Sequence, residues 1–500
     1  MKIQNPIIRG FYPDPSVCEA NGKYYLACST FQYFPGVPIF ESEDLINWKQ
    51  VGNCLTRLSQ VELHQIPSSG GVFAPTLRYH EGIFYMVTNN NTFGKNFYIS
   101  TKDIAGEWSE PIFVDQEGID PSLLFDNGKV YFTSNGTYNG KGCVMQCEID
   151  INTGEKITET MPIWCGSGGR YLESPHLYHI GEYYYLMVAE GGTEYGHMIT
   201  YARSENPFGP FEGYSGNPVL TNRNLGGNEN RIQGIGHGDL IQDRNGNYYI
   251  ICLGFRQNGI WSPFHHLGRE VFLSPAYMDE NGWFSAGIEG HVEEWMDVDI
   301  ETVVQKNGIY DVDFNLTDLT DLRWEYIRDY NKENYSFSNN TLVIKGSAIT
   351  LNEADAPSFI GIRQSEFNTD LTVTVKSSAM EAGVTFYMDE SEHYDLCLCT
   401  DNDSEDHEVC LKLQVGDAAC VKNRVKCDSD KVKLHIVSDP EKYSFFFGNG
   451  NDEILLGTAR CKYLSSEVAG GFTGVLMGMY VVDNSAKDAE FSELKWIQRN

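Results

Sequence analysis

Three carboxylates stand out by their neighbours. Asp14 lies between two prolines in Gly10-Phe11-Tyr12-Pro13-Asp14-Pro15-Ser16. Asp120 precedes one in Ile119-Asp120-Pro121-Ser122-Leu123, and Glu173 comes two residues before one in Glu173-Ser174-Pro175-His176-Leu177. Proline fixes φ and donates no ladder hydrogen bond, so each stretch reads as a rigid bend at a strand's mouth. Each leads into a glycine turn and an aromatic strand: Lys23-Tyr24-Tyr25-Leu26, Gly128-Lys129-Val130-Tyr131 and Gly181-Glu182-Tyr183-Tyr184-Tyr185. Two further stretches follow the same grammar. Phe73-Ala74-Pro75-Thr76-Leu77 brings no acid, whereas Gly236-His237-Gly238-Asp239-Leu240 brings a histidine and an aspartate.

The five units recur at roughly 45–65 residues, a period that signals a propeller. In a propeller the innermost strand of each blade starts at the central axis, so equivalent residues of different blades converge in one funnel. Asp14, Asp120 and Glu173 would then meet, with His237 and Asp239 contributed by the fifth unit. Three acids in an aromatic pocket suit glycoside hydrolysis with inversion. One acid protonates the leaving oxygen while another activates a water on the opposite face of the sugar, their separation being roughly 6.5–9.5 Å to admit that water. The third tunes the proton donor. Taken singly, Asp-Pro and Glu-Ser-Pro are also ordinary turn chemistry, with side chains capping backbone N–H groups. Three in register favour the chemical reading. An axial calcium site would gather acids too, but it would not need the longer reach of Glu173.

The elements that must hold these residues are strands. Almost no window shows helical periodicity. The chain has 500 residues, 41% hydrophobic and 13% aromatic, which predicts more than one domain and a β-rich core. Its 37 basic against 69 acidic residues leave a net charge of −32. That disfavours nucleic acid, whose phosphates need a basic face, and anionic membranes; a uronate substrate is disfavoured likewise. A neutral sugar is compatible. The 13 cysteines are scattered and several fall in apolar strands, which predicts buried free thiols in a reducing compartment. Met1-Lys2-Ile3-Gln4-Asn5-Pro6 carries no apolar signal core, so a cytoplasmic location is expected.

The acidic, weakly patterned stretch Val292–Val304 reads as the linker between two domains. The expected division is a five-bladed propeller over 1–300, a linker over 301–310 and a second domain over 311–500. The second domain's grammar is short alternating strands with Asn, Asp and Gly turns, such as Leu371-Thr372-Val373-Thr374-Val375 and Tyr443-Ser444-Phe445-Phe446-Phe447. That predicts a β-sandwich and an all-β chain.

Read together, these motifs resemble glycoside hydrolase family 43, in its β-xylosidase/α-L-arabinofuranosidase branch with a C-terminal concanavalin-like sandwich. Further matching stretches are Ser29-Thr30-Phe31-Gln32-Tyr33-Phe34-Pro35-Gly36-Val37, Ala189-Glu190-Gly191-Gly192-Thr193, His266-Leu267-Gly268-Arg269-Glu270, Phe359-Ile360-Gly361-Ile362-Arg363-Gln364 and Gly470-Gly471-Phe472-Thr473-Gly474. The resemblance implies an inverting exo-glycosidase that releases terminal α-L-arabinofuranose, β-D-xylose or both from hemicellulose-derived oligosaccharides. It makes Asp14 the general base, Glu173 the general acid and Asp120 the group that raises the acid's pKa. Arg269 would bind hydroxyls of the terminal pentose, and Phe31 and Phe73 would wall its site. In relatives Phe73-Ala74-Pro75-Thr76 is often Trp-Ala-Pro-Asp, so this wall is smaller. His237 lies at a position beneath the sugar, where some members hold calcium or another ion. It is therefore both a substrate-site and an ion-site candidate. No cofactor is expected for the chemistry. Association between copies through the sandwich is an expectation, and Phe472 falls in a loop that could close the funnel. The rival readings are an endo-acting, arabinanase-like hydrolase with an open groove and a carbohydrate-binding propeller without catalysis.

Overall fold

The computed structural model describes residues 1–225, 231–259, 261–300, 312–315, 317–401, 406–449 and 452–499. The repeats of the first half fold as five four-stranded antiparallel sheets. From the axis outward, blade 1 is Ser16–Ala20, Lys23–Ala27, Gly36–Ser42 and Lys49–Leu55. Blade 2 is Thr76–His80, Ile83–Asn90, Lys95–Thr101 and Ile112–Val114. Blade 3 is Ser122–Asp126, Lys129–Tyr138, Lys141–Glu148 and Met161–Trp164. Blade 4 is Glu173–Ile180, Tyr183–Glu190, Met198–Ser204 and Glu212–Gly213. Blade 5 is Ile232–Gln242, Tyr248–Arg256, Glu270–Met278 and Phe284–Ala286. Each innermost strand packs on that of the next blade, and Ile232–Gln242 packs on Ser16–Ala20, which closes the ring as a five-bladed propeller.

Local chemistry explains the hairpins. Asn21-Gly22, Glu81-Gly82 and Asn127-Gly128 join the first two strands of blades 1, 2 and 3, and all six residues have positive φ. Two successive positive φ values make the turn whose twist matches the flanking strands. The ring is latched at its seam. Lys2–Gln4 pairs with Trp295–Asp297, and the Ile7 N–H donates to the Val271 carbonyl at 2.8 Å.

The second domain is a sandwich of an eight-stranded and a six-stranded sheet. The first runs in the order Tyr335–Ser338, Thr341–Lys345, Asp488–Arg499, Asn368–Ser377, Lys431–Ser438, Lys442–Asn449 and Asp452–Arg460, with Val312–Asn315 also paired to Asp488–Arg499. The second runs Phe359–Arg363, Leu476–Val482, Glu381–Asp389, Glu392–Thr400, His407–Val415 and Ala418–Cys427. Val373, Val384, Leu396, Leu434, Phe445, Phe491 and Trp496 fill the space between the sheets.

The domains share structure as well as surface. Tyr33–Phe34 of the propeller pairs with Tyr326–Ile327. Phe11, Phe31, Tyr33 and Phe73 join Phe359, Tyr387, Leu476 and Tyr480 in one apolar cluster. Arg256 forks onto Glu270 with two contacts of 2.8 Å and reaches Glu366 at 3.0 Å. Gly268 and Gly474 meet backbone to backbone. A Cβ on Gly474 would lie 2.8 Å from the Leu267 carbonyl oxygen and 2.9 Å from the Gly268 Cα, so neither side of this junction has room for a side chain.

Two expectations change. Of the stretch read as linker, Val292 is buried and Trp295–Asp297 is a strand paired with Lys2–Gln4, so its part up to residue 300 belongs to the first domain. The predicted linker, 301–310, lies outside the described residues. The cysteines are not all free thiols: Cys143 and Cys165 form a disulfide, and Cys420 is exposed. The β-strand Lys141–Glu148 and the loop after Met161–Trp164 bring the two sulfurs together, although they lie 22 residues apart.

Candidate active site

The bends read from sequence are real, and their backbone is unusual. Asp14, Asp120, Ser174 and His237 take φ of 54°, 53°, 55° and 46°. Left-handed backbone at a non-glycine residue costs about 1–3 kcal/mol and persists where the surroundings over-determine it. Strand register also shifts between Glu173 and His176 and around Gly236 and Gly238, bulges that re-aim the side chains at the mouths of blades 4 and 5. Strain thus falls at the mouths of four of the five inner strands, and bulges at two of them.

Asp14 is almost wholly enclosed. Its Oδ1 accepts from Arg269 Nη1 at 3.0 Å, and its Oδ2 accepts from Ser29 Oγ at 2.5 Å. His237 Nδ1 stands 3.5 Å from the same carboxylate. Burial opposes ionisation, but Arg269, His237 and Ser29 outweigh it and hold the Asp14 carboxyl below its ordinary range. Asp14 is an anion at neutral pH, as a general base must be.

Asp120 and Glu173 behave oppositely. Burial, then the charges of Glu173 and Asp14, push Asp120 well above its usual value, against one hydrogen bond from the Ser174 N–H at 3.0 Å. Burial and Asp14 raise Glu173 to about 7, although Arg269 opposes the shift. Carboxyls that repel one another across a dry site do not both ionise readily, so the pair titrates as a unit. The backbone N–H aimed at Asp120 opposes the rise there without cancelling it.

Arg269 binds the site together. Nη1 donates to Asp14 and, at 3.1 Å, to Thr193 Oγ1, while the buried Nη2 has no hydrogen-bond partner among the described residues. The motif containing Thr193 is positioned by Glu190. That fully buried carboxylate accepts from the Ser167 N–H at 2.7 Å and Thr200 Oγ1 at 2.6 Å, tying the loop before Glu173 to blade 4.

Phe31 and Phe73 pack edge to face at 5.2 Å, and Phe472 from the second domain stacks on Phe31 at 5.5 Å and meets Phe73 edge-on at 5.8 Å. The Arg269 guanidinium lies 5.0 Å from the Phe472 ring centroid. Phe472 therefore reaches the site. Its N–H is anchored by Ser69 Oγ at 2.7 Å. Glu173, Arg269 and Phe472 line one cavity of about 420 Å³ together with Tyr171, Thr193 and Tyr195.

Several neighbours were not singled out by sequence. Ser29, Thr193 and Tyr195 are common residue types without distinctive spacing. His265 and Glu467 lie 202 residues apart, and Glu467 accepts from the His265 N–H at 2.9 Å and from the Tyr195 hydroxyl at 2.9 Å. This clasp holds the sandwich loop against blades 4 and 5.

His237 and Asp239 part company. His237 joins the acids, and burial lowers its pKa, so the ring is neutral. Asp239 points to a separate polar layer with Ser16, Arg78 and Tyr178. Among the described residues, no three ligating side chains converge around His237, and Asp14 is already taken by Arg269 and Ser29. The side chains here do not make a metal-ligand set.

The chain is similar to known proteins along its whole length. The pattern of glycosyl hydrolases family 43 matches residues 3–284, and that of the beta xylosidase C-terminal concanavalin A-like domain matches residues 311–498. The chain is 38% identical over 508 residues to a non-reducing end α-L-arabinofuranosidase of Bacteroides ovatus, covering 99% of this chain and 94% of that protein. It is 34% identical to a xylosidase/arabinosidase of Butyrivibrio fibrisolvens, covering 98% of each. Among solved structures, the xylan β-1,4-xylosidase of Bacillus halodurans superposes with a TM-score of 0.90 at 28% identity, over 99% of this chain and 100% of that one.

Proposed function

This chain belongs to glycosyl hydrolases family 43, and on that footing we propose that it removes terminal α-L-arabinofuranose, β-D-xylose or both from the non-reducing ends of short hemicellulose-derived oligosaccharides, with inversion. The observation that carries the exo-acting reading is the wall formed by Phe472. It lines the same cavity as Glu173 and Arg269, and it belongs to the second domain. A polymer cannot run through a funnel blocked by another domain, but a chain end can enter it.

The roles follow from the charges. Asp14, held as an anion, takes a proton from water while the water oxygen bonds to the anomeric carbon. Glu173 gives its proton to the glycosidic oxygen as the bond from that oxygen to the anomeric carbon breaks. Attack and departure on opposite faces invert the configuration. Asp120 keeps Glu173 protonated by like-charge repulsion. The unpaired Nη2 of Arg269 is a fixed donor for a hydroxyl of the terminal sugar. Phe31, Phe73 and Phe472 wall the ring on its apolar side. The glycosyl group passes from the leaving oxygen to the water oxygen, and one proton moves onto Asp14 while another leaves Glu173.

The test is hydrolysis of the 4-nitrophenyl glycosides of α-L-arabinofuranose and β-D-xylose, side by side, with the first-formed anomer read by proton NMR. Cleavage of either with inversion is expected, and the ratio identifies the preferred pentose. Rapid loss of viscosity from long arabinan without release of single pentoses would replace this reading with the endo-acting one.

A further inference from the structure

The six-stranded sheet of the second domain carries a cluster of soft ligands that the hydrolytic site does not use. Cys397 and Cys399 lie two residues apart on the strand Glu392–Thr400 and so share a face. Glu381, on the strand Glu381–Asp389, stands directly across from Cys399. Cys410, on the strand His407–Val415, stands directly across from Cys397. Three thiols and a carboxylate from three neighbouring strands therefore project to one side of the sheet. Ligand atoms of Glu381, Cys397 and Cys399 all lie within 4.8 Å of one another. The Cys397 thiol also lies 3.8 Å from the Cys410 carbonyl oxygen, to which it donates.

The geometry points to a binding site for a thiophilic d¹⁰ divalent cation of the zinc class, held by Cys397 Sγ, Cys399 Sγ and a Glu381 carboxylate oxygen. The two sulfurs are 3.6 Å apart. Two ligands at the zinc–sulfur distance of about 2.3 Å, at tetrahedral angles, are separated by about 3.8 Å. The sulfurs thus already stand at the edge length of such a tetrahedron.

The surroundings fit an ion. Tyr480 Oη donates to one oxygen of Glu381, and Lys412 Nζ pairs with the other. Each oxygen keeps a lone pair, and these partners fix the carboxylate's orientation in the way outer-shell groups orient metal ligands. Two thiolates, one carboxylate, a divalent cation and the Lys412 ammonium sum to zero charge, which suits a site where Cys397 is fully buried. Binding releases one proton per coordinating thiol, since only the thiolate ligates. The site would cross-link adjacent strands of the sheet that faces the propeller. Cys397 and Cys410 belong to the same apolar cluster as Phe31 and Phe73, so an ion here would stiffen the backing of the sugar-site wall.

The test uses the full-length reduced protein and Cd²⁺ as the probe. One equivalent of Cd²⁺ per chain should bind with a thiolate-to-cadmium charge-transfer band, and Zn²⁺ should displace it. The double substitution Cys397→Ser/Cys399→Ser should abolish the band, whereas Cys420→Ser, at an exposed strand position, should leave it intact. Two buried serines can unfold a sheet, so a second readout uses wild type only. Zn²⁺ should slow alkylation of Cys399 by N-ethylmaleimide without slowing that of Cys427, which is similarly half-buried. No thiolate band, a band that survives the double substitution, or equal protection of Cys399 and Cys427 would each overturn the proposal.

Discussion

Asp239 and Asp120 stand at the axis of the same propeller, contributed by blades 5 and 3, and are 0% and 7% exposed. Asp239 accepts from Ser16 Oγ at 2.6 Å, the Val17 N–H at 3.0 Å, Arg78 at 2.8 and 3.2 Å, and Tyr178 Oη at 2.5 Å. Those donors come from blades 1, 2 and 4, so one carboxylate ties four blades together. Burial works against its charge, but Arg78 and the hydrogen bonds prevail and hold it far below the ordinary range. His176, beside the same Arg78, is forced by burial to about 3 and remains neutral. In the other layer, Asp120 receives one backbone N–H and faces two further carboxyls. One layer has its charge satisfied and serves as a hub. In the other, burial and neighbouring carboxyls raise both Asp120 and Glu173, so the pair retains a proton. The same residue type at the same depth becomes structure or chemistry according to how many donors surround it.

The largest effect that would sharpen this contrast is loss of the reacting groups. Asp14→Asn should lower kcat by roughly 10²–10⁴ on every substrate, since no leaving group replaces the base. Glu173→Ala should lose a similar factor on natural oligosaccharides but much less on 4-nitrophenyl glycosides, whose leaving oxygen needs little protonation. Equal losses on both substrates would remove Glu173 from the acid role.

Next comes the hub. Arg78→Leu strands the Asp239 carboxylate, and breaking a buried pair in this way costs about 3–5 kcal/mol. The denaturant midpoint of the propeller should fall accordingly, while surviving folded enzyme keeps its pH profile. A profile that shifts with little loss of stability would mean the two layers are one.

The pH dependence is a smaller and more diagnostic effect. The general acid works only when protonated, so kcat/KM should fall tenfold per unit as pH rises above about 7. Asp14 is lowered rather than raised, so the acid limb should lie below the usual aspartate range. Asp120→Asn removes a repelling charge and should move the alkaline limb to lower pH. An unmoved limb would assign the shift to burial and Asp14 alone.

The smallest effect is at the wall. Phe472→Ala removes aromatic contacts with Phe31 and Phe73 worth about 1 kcal/mol, so KM should rise roughly fivefold with kcat little changed.

Much of this was legible before any coordinates. Pro-Asp-Pro, Asp-Pro and Glu-Ser-Pro mark bends because proline restricts its own backbone and that of its neighbour, and their spacing set the blade count. Alternating strands such as Leu371–Val375 declared a half-buried sheet, and that run lies inside the strand Asn368–Ser377. Other strands were silent. Ala418–Cys427 is exposed on both faces along nearly its whole length, so no alternation could form. Leu476–Val482 is buried throughout, so its apolar run has no period. Cys143 and Cys165 carried no sign of being partners, because pairing depends on a strand meeting a loop 22 residues on and not on their spacing.

The amino-acid sequence by itself determined the repeat, the three acids at the strand mouths, the change of grammar near residue 300 and the family. These are local properties, set by backbone restriction and side-chain period within a few residues. Only the tertiary structure decided that Asp14 and Arg269, 255 residues apart, hold each other. It alone separated His237 from Asp239, brought Phe472 across the domain boundary, and closed the pocket with His265 and Glu467. Those contacts exist because the ring closes and the sandwich docks, and the free energy of burial that drives both is a property of the assembled surfaces rather than of any short stretch of chain.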